Sequence, residues 1–155
     1  MTDDEFMLRA IQLSCDAVDS DGDPFGAVVA HRGQIIGEGI NRVVTGTDPT
    51  AHAEIVAIRH ACRTLGTHVL ADATIYTSCE PCPMCLGAIW WSRISAIVYG
   101  NTRYDAVAIG FDDEVIYAEV AAPLDKRKLP MRRLKASEAK EAFKLWHTKS
   151  DRVPY

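Results

Sequence analysis

No run of apolar residues in this chain approaches the roughly 20 that a helix needs to cross a bilayer, so no membrane span is expected. The first residues, Met1-Thr2-Asp3-Asp4-Glu5, are acidic where a secretory signal is basic, which points to the cytoplasm. Cysteine is scarce and odd in number: Cys15, Cys62, Cys79, Cys82 and Cys85. The last three fall within seven positions, which argues against a disulfide framework and, in a reducing compartment, for a metal. There is no internal repeat, low-complexity tract or linker, so residues 1–155 read as one domain. Also missing is His-Glu-x-x-His, which removes the metalloprotease reading. What is present is a chain 48% hydrophobic, enough to bury a sizeable core.

Basic charge is sparse until late in the chain. Residues 1–125 carry 7 Lys and Arg against 18 Asp and Glu, whereas residues 126–155 carry 10 against 3. The basic stretch opens with Lys126, Arg127 and Lys128 and continues through Arg132, Arg133 and Lys135. It suits either a nucleic-acid contact or an arm lying on an acidic body, its own or a partner's. The acidic remainder would repel phosphates, which favours the arm.

Apolar periodicity outlines the elements. Thr2 and Glu5 form a capping-box pattern, and Phe6, Ala10, Leu13 and Ala17 continue it as a helix to about Ser20. Residues 25–31 read as a buried strand, Arg32-Gly33 as its turn and 34–40 as the return of a hairpin. After the Asp48-Pro49-Thr50 turn, 51–65 read as a helix stopped by Gly66. Strands are expected over 73–77, 94–99 and 131–134. Helices are expected over 82–91, over 111–120 and from a Ser137 cap onward. This order implies an α/β fold, a three-layer α/β/α sandwich around a mixed five-stranded sheet. Cys15 and Cys62 are expected in the core.

His52, Cys82 and Cys85 make a ligand set for one zinc ion per chain, three protein atoms with a fourth position left for water. Cys82 and Cys85, three apart, share the face of a first helical turn, where the helix dipole favours thiolates. Pro81 and Pro83 are tolerated there because the first N–H groups of a helix lack partners. Cys79 leaves two alternatives open: the start of an iron–sulfur motif, though no fourth cysteine follows Cys85, or a fourth ligand closing a structural zinc site. Against closure stand the Pro81 turn and an otherwise idle Glu54. Zinc makes water acidic enough to act near neutral pH. Glu54 would take that proton and later protonate a leaving amine, which is hydrolytic deamination.

The chain resembles the cytidine deaminase superfamily, and more closely its bacterial guanine deaminase branch. The resemblance rests on Pro24-Phe25-Gly26-Ala27-Val28, Asn41, the run from Asp48 to Glu54 and the run from Thr77 to Ile89. Gly110-Phe111-Asp112-Asp113-Glu114 with Ile116-Tyr117, and a chain closing on Tyr155, match the branch itself. The resemblance implies a cytidine deaminase-like fold and a hydrolase of purine metabolism that converts guanine to xanthine and ammonia. It implies that Asn41 and Asp113 bond the purine, Phe25 and Trp91 wall it, and Tyr155 closes the pocket. It also implies a homodimer in which residues 126–155 close the site or swap between subunits. The branch often has Gly-Gly before Pro-Phe, where this chain has Gly22-Asp23. Alternatives are guanosine or another aminopurine or pyrimidine, adenosine in transfer RNA, and a non-enzymatic zinc-stabilised binding module.

Overall fold

The structure is a computed structural model describing residues 1–155. Helix α1 (Asp3–Asp19) starts as its capping box requires. Thr2 Oγ1 accepts from the Glu5 N–H, and Glu5 Oε2 accepts from the Thr2 N–H. Strands β1 (Gly26–His31) and β2 (Gln34–Ile40) form a hairpin around Arg32 and Gly33, both at positive φ. Strand β1 also pairs antiparallel with β3 (Ala73–Cys79), and β3 pairs parallel with β4 (Ala96–Asn101), giving the order β2-β1-β3-β4.

Strand β1 carries no polar side chain before His31 because both of its faces are covered from Gly26 to Ala30. Val28 and Ala30 face Phe6 and Ala10 of α1. Ala27 and Val29 face α3 (Ala53–Leu65) through Ala57, Ile58 and Ala61, with Ile89 of α4 (Pro83–Trp91) in the same cluster. These are the three layers. Helix α3 lies hard against β2 at Gly37 and Gly39. A Cβ at Gly39 would run into the backbone of Ala53 and Ala57, and one at Gly37 into that of Ala57 and Ala61. The absence of those two side chains lets α3 lie this close to β2.

The mixed sheet has four strands, not five. Residues 131–134 form no strand, and Met131 and Leu134 are exposed. The backbone just before them is engaged elsewhere, with the Lys128 and Leu129 N–H groups donating to the Glu119 carboxylate. Pro130 has no N–H for a ladder. Two short helices went unforeseen, α2 (Val43–Gly46) and α5 (Arg103–Ala108), the latter with its own Thr102–Asp105 capping box. Helix α6 (Glu114–Ala121) starts later than the expected 111, leaving 111–113 non-helical. Cys15 is exposed rather than buried, and Cys62 is half-buried against the core.

The chain divides into two compact units, Met1–Tyr117 and Ala118–Tyr155. The first contains the sheet and its helices. The second contains a 3-10 turn (Leu124–Lys126) and α7 (Ala136–Thr148), which begins one residue before Ser137. No residue of the second unit is buried.

Candidate active site

Helix α3 begins at Ala53 rather than at 51, so His52 is its extended N-cap (φ −64°, ψ 157°) and Glu54 lies in its first turn. Cys82 likewise caps α4 (φ −66°, ψ 167°), with Pro83 and Cys85 in the first turn. Two helix N-termini therefore bring one imidazole and two sulfurs together. The ligand atoms of His52, Cys82 and Cys85 all lie within 4.8 Å of one another. Cys82 Sγ is 3.6 Å from His52 Nδ1. Nitrogen and sulfur bound to one tetrahedral zinc at ordinary bond lengths stand roughly 3.5 Å apart, so the donor set fits this ion. Cys79 stands outside the group. It ends β3, buried, and its thiol donates to the Thr102 carbonyl at 3.6 Å. Neither Cys79 alternative, the iron–sulfur start or the closed zinc site, is supported by that placement.

The electrostatics suit a cation. Hydrogen bonds from the Cys85 thiol and from His52 hold Cys82 down at about 4, so it is a thiolate at neutral pH. The contact with Cys82, then burial, pushes Cys85 up. The bond to Cys82 raises His52. Burial pushes Glu54 up to about 7, the range in which one carboxyl can both accept and donate a proton. Burial also pushes Cys79 up to about 11, which leaves it a thiol.

Beside this group lies a cavity of about 220 Å³. Ligand sites for drug-sized molecules start at roughly 300 Å³, so this one suits a single ring system. Asn41, Phe25 and Asp113 line it together with His52, Glu54 and Cys82. Asn41 is buried, and its Oδ1 accepts from the Val43 N–H at 2.9 Å, which presents the amide NH₂ as a donor. Asp113 is raised by burial and by the Cys82 sulfur. Phe25 meets Phe111 edge to face, with centroids 4.8 Å apart.

Trp91 is not brought to the cavity. It sits at the end of α4, 60% exposed, and Phe111 is the second aromatic of the lining instead. Tyr155 is the last residue of the second unit, 72% exposed. Asp23 and Glu80 also line the cavity, and no Lys or Arg does. Sequence reasoning assigned no role to Phe111, although its place in the Gly110–Glu114 run was the available signal.

The "cytidine and deoxycytidylate deaminase zinc-binding region" matches residues 1–101. A guanine deaminase of Bacillus subtilis is 46% identical over 156 residues, all of both chains. The X-ray structure of guanine deaminase from Bacillus subtilis superposes with a TM-score of 0.96 at 46% identity, covering 100% of this chain and 99% of that one. A tRNA-specific adenosine deaminase of Haemophilus influenzae is 42% identical, over 72% of this chain and 68% of its own.

Proposed function

This chain belongs to the cytidine and deoxycytidylate deaminase zinc-binding family, and from that premise we propose that it hydrolyses guanine to xanthine and ammonia. The observation that carries this reading is a buried Glu54 beside the His52, Cys82 and Cys85 group at a cavity sized for one ring system. The full-length likeness to a guanine deaminase supports the choice of base. The absence of Lys and Arg from the lining supports a free base over a phosphorylated nucleotide, since nothing there would neutralise a phosphate.

His52, Cys82 and Cys85 would hold one zinc ion per chain. Bound zinc supplies a nucleophile at neutral pH by lowering the pKa of water. Glu54 accepts the proton released as the carbon–oxygen bond forms at guanine C2. It passes that proton to the neighbouring ring nitrogen, then takes the proton of the new C2 hydroxyl and gives it to the amine, so that the C2–N bond breaks, ammonia leaves and the C2 carbonyl forms. The Asn41 NH₂ donates to an acceptor on the purine edge, because its carbonyl oxygen is held by Val43. Asp113 accepts a base N–H. Phe25 walls the ring, and Phe111 braces it.

The C-terminal segment, residues 126–155, is assigned to closing the site, with Tyr155 against the base. We infer a cytoplasmic homodimer in which the second copy covers that segment. Support comes from the second unit itself, which buries no side chain and leaves Phe143, Leu145 and Trp146 exposed at 78%, 72% and 46%. An ammonia-release screen of the zinc-loaded protein over guanine, guanosine, adenine, cytosine and cytidine tests the substrate. Guanine is expected to lead by at least about 100-fold, well inside the roughly 10⁴-fold discrimination that a site built around hydrogen bonds reaches. Faster release from cytidine or guanosine would reject this choice of base.

A further inference from the structure

Tyr117 has no part in the reaction above, yet it joins two rims of the cavity. Its backbone N–H donates to the Asp113 carbonyl at 3.3 Å, so it belongs to the segment that carries Phe111 and Asp113. Its hydroxyl donates to the Pro81 carbonyl at 2.7 Å. Pro81 lies between Glu80, which lines the cavity, and Cys82, which caps α4.

The ring that carries this hydroxyl is fixed by Arg103. The guanidinium carbon stands 4.6 Å from the Tyr117 centroid and 5.3 Å from the Tyr104 centroid. A flat cation between aromatic rings is attracted by both. Arg103 Nε is buried with no hydrogen-bond partner, and Nη2 reaches only the Tyr104 hydroxyl at 3.5 Å. The rings therefore pack against this side chain, and no carboxylate stands within ion-pair distance of it. At its backbone, the Arg103 N–H donates to Glu80 Oε2 at 3.0 Å. Both residues thus grip the turn that leads into Cys82.

We propose that Tyr117 is a positioning residue whose hydroxyl, oriented by Arg103, ties the Phe111–Asp113 rim to the Glu80–Cys82 turn and keeps the two in register. This rests on the assignment of Asp113 to the base and Cys82 to zinc. A bond between those rims matters because substrate and metal are held by different ones.

The test uses the zinc-loaded full-length chain and three variants, Tyr117→Phe, Arg103→Leu and the pair together. Tyr117→Phe is expected to raise KM for guanine about tenfold and to speed chelator-driven zinc release about tenfold, with kcat within about threefold of wild type. Arg103→Leu moves both readouts the same way. In the Tyr117→Phe background it moves them little further, because it acts through the same hydroxyl. Wild-type KM and zinc release in Tyr117→Phe, or fully additive effects in the pair, would overturn the proposal. If Tyr117→Phe fails to fold, Arg103→Leu decides: unchanged KM and zinc release reject the clamp. Zinc release needs no turnover, so a wild type that leaves guanine intact defeats the functional reading alone. A wild type that binds no zinc defeats both.

Discussion

In the proposed reaction Glu54 is the residue on which the chemistry turns, because a carboxyl buried this deeply resists ionisation. Exchange for Gln keeps the shape and removes the proton relay. Glu54→Gln is expected to lower kcat by about 10³-fold with zinc content unchanged, measured by ammonia release and metal analysis on the same samples. The same residue sets a pH dependence in zinc-stripped protein. Folded Glu54 keeps its proton up to about 7, against an ordinary value of 4.5. Between those values the folded chain binds more protons than the unfolded one. The stability this group contributes is therefore complete below 4.5 and lost as pH rises through 7. Tm measured from pH 4.5 to pH 8 is expected to fall less in Glu54→Gln than in wild type; parallel curves would contradict the burial account.

That His52, Cys82, Cys85 and Glu54 come together was legible in the sequence, because zinc chemistry demands particular residue types at particular spacings. Trp91 was not. Whether an aromatic at a helix end faces a cavity depends on how the helix is rotated, and spacing does not carry that. The Tyr117–Pro81 bond joins residues 36 apart and has no local signature.

At the scale of elements, the site depends on where two helices begin. Helix α3 starts after His52, and Gly37 and Gly39 let it lie close against β2. Gly39→Ala is expected to cost about 1–3 kcal/mol of unfolding free energy and to lower zinc affinity, because the helix must move off the strand and carry Glu54 with it. Denaturant unfolding and zinc titration check both effects; full stability would show that α3 is held by something other than this contact. The helix–strand alternation was readable from apolar periodicity, since β1 and α3 bury most of their apolar residues. The expected strand at 131–134 failed for want of a partner. A short segment becomes a strand only where a ladder receives it, and here the preceding amides donate to Glu119.

For the whole molecule, the division of charge and the division into units fall close together. The acidic part of the chain contains the cavity, and the basic part forms an exposed segment without a core. Sedimentation of the full chain is expected to give twice the 17.1 kDa chain mass. Removal of Tyr155 is expected to lower kcat/KM for guanine by about tenfold or more, as loss of one buried polar contact does, with Tm unchanged. A monomer, or an unaltered rate after trimming, would contradict this account of the C-terminal segment. The most direct measurement of the whole is turnover of guanine by the zinc-loaded protein in ¹⁸O-labelled water. Xanthine with one labelled oxygen at C2, lost with Glu54→Gln and on stripping the zinc, is the predicted result. Guanine left intact, or xanthine still formed by Glu54→Gln at the wild-type rate, would contradict it.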